Sequence, residues 1–287
     1  MPELPEVETV RRGLEPCLAG ARLARVEARR PDLRFPLPHK FAARLTGARI
    51  ERLDRRGKYL VAPLSTGETL IMHLGMTGRF QVEGGEVRRR PGAFVQAAAA
   101  DARHAHLVFE TDAGALITYF DPRRFGFMDL VSGDAQVTYP TFLAMGPEPL
   151  GNQFHGPHLL EAFEGRRQAV KTLLLDQTIV AGLGNIYVCE ALHRARIAPS
   201  APAGHIALIR LERLASAVRG VLDAAIEAGG SSLRDYADAS GAMGYFQHEF
   251  RVYGREGEGC PTPGCKGRVR REVHSGRSTF FCATCQR

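Results

Sequence analysis

At 287 residues the chain is long enough for two domains that each bury a core of their own. Lys and Arg total 38 against 31 Asp and Glu, and the resulting net charge of +7 with a pI of about 9.3 favours a polyanionic partner, whether nucleic acid, ribosome or anionic membrane. The start carries acids and arginines where a signal peptide would be apolar, and no run of about 18 consecutive apolar residues follows, so a soluble, cytoplasmic protein is expected.

The first segment, Met1-Pro2-Glu3-Leu4-Pro5-Glu6-Val7-Glu8-Thr9, reads in two ways. Proline at a first helical position with acids in the first turn is ordinary helix-start chemistry, and Val7, Val10 and Leu14 follow at helical spacing. The same residues also hold a nucleophile and a proton carrier. Removal of Met1 would leave a secondary amine on Pro2 beside the Glu3 carboxylate, and an α-amino group titrates near pH 8, low enough to attack an electrophilic carbon at neutral pH.

Residues 20 to 130 contain short apolar runs of strand character, among them 59–61, 69–72, 106–109 and 115–120, and predict a β-rich domain, a sandwich. Residues 83 to 103 break the pattern with Gly84-Gly85, Arg88-Arg89-Arg90 and an alanine run, as an exposed, mobile insertion would. Residues 133–157, rich in Gly and Pro, look like a linker. Beyond them the period becomes helical. His205 to Gly230 predicts a long helix with Ile206, Ile209, Leu214, Val218, Val221, Leu222 and Ala225 on its core side. Two shorter helices flank Ala181-Gly182-Leu183-Gly184-Asn185, where Asn185 is expected to cap the second and its amides to face an anionic ligand.

Four of the six cysteines fall in the last 28 residues. Four residues separate Cys260 from Cys265, two separate Cys282 from Cys285, and sixteen lie between the pairs, a spacing for two tight turns that present four thiolates to one Zn²⁺. Such a shell is closed to water, so the metal is expected to hold the fold and to do no chemistry. Between the pairs, Arg268 to Phe281 reads as two strands about His274-Ser275-Gly276, with Arg277 just past the turn, where a hairpin tip could reach a DNA groove.

Pro2 to Thr9, His73-Leu74-Gly75-Met76-Thr77-Gly78, Asp121-Pro122-Arg123-Arg124-Phe125-Gly126 and Gly184-Asn185-Ile186-Tyr187, followed by the cysteine cluster, resemble in this order the bacterial formamidopyrimidine-DNA glycosylases. The resemblance spans nearly the whole chain. It implies an α+β fold of two domains: an N-terminal antiparallel β-sandwich with an N-terminal helix (2–132), then the linker, a helical helix-two-turns-helix domain (158–247) and a four-cysteine β-hairpin zinc finger (248–287).

It also implies a chemistry. Pro2 would attack C1′ of a flipped oxidised purine nucleotide, Glu3 would move protons, and β- and δ-elimination would cut the strand through the resulting iminium, with no organic cofactor. Glu6 would support the pocket and Lys58 would reach a phosphate near the reaction centre. Met76, Arg123 and Phe125 would fill the gap left by the flipped nucleotide, although Met76 and Phe125 would otherwise read as core and Arg123 as a solvated turn. Asn185 would bind the backbone beside the lesion, and residues 231–247 would lie over the extruded base. The partner implied is double-stranded DNA with oxidised purines or abasic sites, met by a monomer. Two other readings remain at this point: an endonuclease VIII-like glycosylase for oxidised pyrimidines, and a zinc-stabilised protein that binds damaged DNA without cutting it.

Overall fold

The proline-and-acid opening becomes the start of helix α1, Leu4–Leu18, in the computed structural model of the protein, which describes residues 2–84, 102–231 and 246–287. Pro5 stands in the first turn, where an N–H would have no helical partner, and the Glu6 carboxylate accepts the Glu3 N–H at 2.8 Å. Val7, Val10, Leu14 and Leu18 are buried, which commits one face of α1 to the core.

By its internal contacts the chain divides into two units, Met1–Leu143 with Ala228–Tyr245, and Ala144–Glu227 with Phe246–Arg287. After α1 the first unit runs β1 (Leu23–Ala28), α2 (Phe41–Leu45), β2 (Asp54–Arg56), β3 (Tyr59–Pro63), β4 (Glu68–His73), β5 (Arg79–Glu83), β6 (Ala105–Thr111), β7 (Leu116–Phe120), β8 (Phe127–Ser132), α3 (Ala135–Thr138) and α4 (Pro140–Leu143). Its strands form two antiparallel sheets, ordered β1-β6-β7-β5 and β2-β3-β4-β8. The period-2 alternation lines up across each sheet as rows. Leu60, Met72 and Met128 form one row, Ala62, Leu70 and Leu130 the next, while the other sheet contributes Leu107, Tyr119 and Phe80, and Val26, Phe109 and Ile117. These rows meet in one buried cluster with the α1 face, so the expected sandwich is present and α1 is part of its core. Truncating a fully buried ring such as Phe80 to alanine would cost about 3–5 kcal/mol. Of the expected insertion, residues 85 to 101 lie outside the described residues.

The second unit carries α5 (Gly156–Phe163), α6 (Val170–Leu174), α7 (Asn185–Ala195), α8 (Leu208–Glu227) and the antiparallel hairpin β9 (Val269–His274) and β10 (Arg277–Cys282). The long helix is shorter than its periodicity suggested. Ala203–His205 forms a separate 3-10 turn, so Ile206 precedes α8. Ile209 is 72% exposed, because it lies two residues before the buried Leu211 and so about 200° round the helix from it. Among the described residues no helix is long and apolar enough to cross a membrane.

Candidate functional site

The start of the chain is not a loose end. Pro2, Glu3 and Glu6 are all buried, and Glu6 is held on both oxygens: Oε2 accepts the Glu3 N–H, while Oε1 accepts the Ser231 N–H at 2.8 Å and the Ser231 hydroxyl at 2.9 Å. A carboxylate of the first helical turn is thereby tied to the residue that leads into 232–245. That segment, which includes most of the loop expected over an extruded base, lies outside the described residues. Glu8 faces elsewhere. It binds Arg11, Arg12 and Arg55, and although burial acts against the charge, these guanidinium groups hold its carboxyl below the usual range. Glu8 therefore fastens α1 to β2.

Lys58 occupies the two-residue turn between β2 and β3, where Gly57 takes a positive φ of 55°. Lys58 is buried, and its charge acts on His73 at the end of β4. The His73 ring lies 4.8 Å from the Tyr59 ring and stacks at 5.3 Å on Phe127, and Nδ1 accepts the Gly75 N–H at 3.1 Å. Burial first, then the positive charges of Lys58 and Arg34, lower its pKa to about 4. At neutral pH it is an uncharged imidazole whose one proton sits on Nε2. Sequence reading quoted His73 within its motif and gave it no task.

Met76 and Phe125 are 38% and 42% exposed, so neither is core. They stand on two loops, 74–78 and 121–126, that touch through their backbones. Gly75 has a φ of +61°, and a Cβ there would lie 2.2 Å from the Phe125 carbonyl carbon. The Arg123 guanidinium covers the Phe125 ring at 4.7 Å from its centroid. Asp121, the first residue of the second loop, is fully buried. Its Oδ1 accepts the Thr77 hydroxyl at 2.6 Å, its Oδ2 accepts the Gly126 N–H at 2.7 Å and the Tyr119 hydroxyl at 3.3 Å, and the Thr77 oxygen accepts the Arg123 N–H at 3.2 Å. An aliphatic, a cationic and an aromatic side chain are thus presented together from one buried carboxylate.

In the second unit Asn185 is not the cap expected of it. Gly184 is the N-cap of α7, and the Asn185 side chain, at the first helical position, points out of the turn to donate from Nδ2 to the Ser278 carbonyl of β10 at 2.8 Å. The buried Lys171 of α6 reaches the same strand, donating to Ser278 O at 3.2 Å and Thr279 Oγ1 at 2.6 Å. Arg277, the residue before Ser278, is exposed at the start of β10. Sequence reading missed Lys171; its one signal is a lysine inside the apolar run Ala169 to Leu175.

The sulfurs of Cys260, Cys265, Cys282 and Cys285 all lie within 4.8 Å of one another, with Cys260 to Cys285 and Cys265 to Cys282 at 3.7 Å. A disulfide would need about 2.05 Å. Four sulfurs on a tetrahedral ion with bonds of about 2.3 Å stand about 3.8 Å apart, so the cluster fits one metal ion.

The family model described as the formamidopyrimidine-DNA glycosylase N-terminal domain matches residues 1–128, and the one described as the formamidopyrimidine-DNA glycosylase H2TH domain matches residues 145–237. A formamidopyrimidine-DNA glycosylase of Caulobacter sp. (strain K31) is 65% identical over 286 residues, covering 100% of both chains. Among solved structures, the MutM (Fpg) protein of Thermus thermophilus is 40% identical with a TM-score of 0.82 over 99% of this chain and 98% of that one. A Lactococcus lactis Fpg mutant in complex with Fapy-dG containing DNA is 35% identical with a TM-score of 0.84 over 100% of each chain.

Proposed function

This chain belongs to the formamidopyrimidine-DNA glycosylase family, and on that premise we propose the following division of labour among its residues. The protein is a DNA repair enzyme that excises oxidised purines, 8-oxoguanine and formamidopyrimidines, from duplex DNA and cleaves the strand at the abasic site. The endonuclease VIII-like and the non-cutting readings are set aside.

With Met1 removed, the Pro2 nitrogen attacks C1′ of the flipped nucleotide. The bond from C1′ to the base breaks, the base leaves with a proton, and opening of the sugar ring gives an iminium between Pro2 and C1′. The iminium acidifies the C2′ hydrogen, whose loss expels the 3′ phosphate. A second elimination expels the 5′ phosphate. Glu3, adjacent to the nucleophile, moves these protons, and Glu6 keeps the segment in place through Ser231. Lys58 serves the phosphate next to the reacting sugar. Extruding the nucleotide costs a few kcal/mol in stacking and pairing, which Met76, Phe125 and Arg123 offset by entering the gap and meeting the widowed base. Asn185, which donates to the Ser278 carbonyl, and Arg277, the residue before Ser278, bind the DNA backbone.

The four cysteines hold a zinc ion, which fixes the base of the β9–β10 hairpin and through it Arg277. The same reading has a monomer working on DNA in the bacterial cytoplasm. Its main support is the burial of Pro2 and Glu3 with Glu6 pinned on both oxygens, which gives the nucleophile a fixed position. Turnover of a duplex with 8-oxoguanine opposite cytosine, compared with thymine glycol opposite adenine, tests the substrate class: faster cleavage of the first is expected, and faster cleavage of the second would overturn it.

A further inference from the structure

Helix α7 carries Asn185, Cys189 and His193 at four-residue spacing, a stripe down one face, and each member of the stripe meets the cysteine-bearing segment. Asn185 binds Ser278 of β10. Cys189 packs in a buried apolar cluster with Val252, Val269 and Phe280, and His193 Nε2 lies 3.4 Å from the Cys260 sulfur. Between them Glu190 accepts the backbone N–H groups of Arg251, Val252 and Tyr253 at 2.9, 2.9 and 2.8 Å. One helix therefore serves as the spine of the finger.

An imidazole carries a proton on at least one of its ring nitrogens. His193 Nδ1 is buried with no partner among the described residues, whereas Nε2 has Cys260 Sγ at 3.4 Å and Thr262 Oγ1 at 3.3 Å. On Nδ1 the proton would be a buried donor with no acceptor, so it belongs on Nε2. A metal-bound Cys260 is a thiolate and accepts strongly. The Thr262 hydroxyl is then free to donate to Cys285 Sγ, 3.8 Å away, and Cys265 Sγ accepts the Gly267 N–H at 3.4 Å. Those donors are local to the finger. The donor for Cys260 comes from 67 residues away in the chain.

We infer that His193 is a positioning residue for the metal centre, holding Cys260 in the ligand set through an Nε2–H···Sγ bond and coupling metal retention to helix α7. The inference rests on the metal reading given above. Four thiolates around a dication leave an excess of negative charge on sulfur, and a donor that withdraws part of it makes Cys260 harder to protonate and slower to leave.

His193→Phe keeps a ring and removes the donor, while His193→Gln can present an amide N–H near the place of Nε2. The full-length protein is assayed for metal content, then for release of the ion to excess chromogenic chelator, and in its Co²⁺-substituted form for the thiolate-to-metal charge-transfer band. His193→Phe should release metal at least about 10-fold faster with a shifted band, and His193→Gln should stay within about threefold of the unaltered protein. Equal release from the unaltered protein and His193→Phe would overturn the inference. So would equally fast release from both variants, which would assign the effect to packing. Absence of stoichiometric metal from the unaltered protein would overturn the metal reading, and this inference with it.

Discussion

Asp121 accepts the Thr77 hydroxyl at 2.6 Å across 44 residues of chain, and this bond joins the loop that carries Met76 to the loop that carries Arg123 and Phe125. Replacing Asp121 by alanine strands the Gly126 N–H and the Thr77 and Tyr119 hydroxyls without their acceptor. Each hydrogen bond to a charged group contributes about 1.5–3 kcal/mol, so a loss of at least about 3 kcal/mol is expected in urea unfolding. Cleavage of 8-oxoguanine duplex should fall further than binding of undamaged duplex. A variant as stable and as active as the unaltered protein would remove Asp121 from this role.

Gly75 allows the close approach of the two loops, since its φ of +61° disfavours any side chain and a Cβ would meet the Phe125 backbone at 2.2 Å. Backbone cannot swing aside as a flexible side chain would. Gly75→Ala should therefore cost at least about 1–3 kcal/mol in strain alone and separate Met76 from Phe125. The check is the stability of the variant together with its rate on lesion duplex; an unchanged rate would show that the loops tolerate the separation.

His73 links stability to pH. Its folded-state pKa is lowered from 6.5 to about 4, so between those values the unfolded chain binds a proton that the folded chain does not. Stability is therefore lost as pH falls through this window, by about 3 kcal/mol at the low end. His73→Asn places an amide oxygen where Nδ1 accepts the Gly75 N–H and has no proton to take up. The stability difference between the two proteins should shift in favour of the variant from pH 7 to pH 4.5, and a constant difference would contradict the assignment.

The four clustered cysteines are placed to hold a metal ion, and the proposed reading has that ion fix the hairpin that carries Arg277. Cys282→Ser, or chelation of the unaltered protein, should abolish stoichiometric metal binding, expose the amides of 269–282 to hydrogen exchange and weaken duplex binding by about 10-fold or more. Retained metal with unchanged affinity in Cys282→Ser would dismiss the site.

What could be read from the chain depended on range. Short apolar runs marked the strands, spacing marked the cysteine cluster, and the motif residues Met76, Arg123 and Phe125 do stand exposed on adjoining loops. Ile209 was misread because the helical period runs on through the 3-10 turn before α8, merging two elements into one stripe. Asn185 was expected as a cap because its residue type suits one, yet its partner is a carbonyl 93 residues away. What Asp121, Lys171 and His193 bind could not be read for the same reason: their partners lie 44, 108 and 67 residues distant, and periodicity reports only neighbours within a turn or two.

The most direct measurement is borohydride trapping on a duplex with one 8-oxoguanine opposite cytosine, using protein whose N-terminal mass has been determined, followed by peptide mapping of the adduct. The account predicts a single covalent adduct at Pro2 in protein that lacks Met1. An adduct mapped to a lysine, or none from processed, metal-loaded protein that still binds and cleaves the duplex, would contradict it.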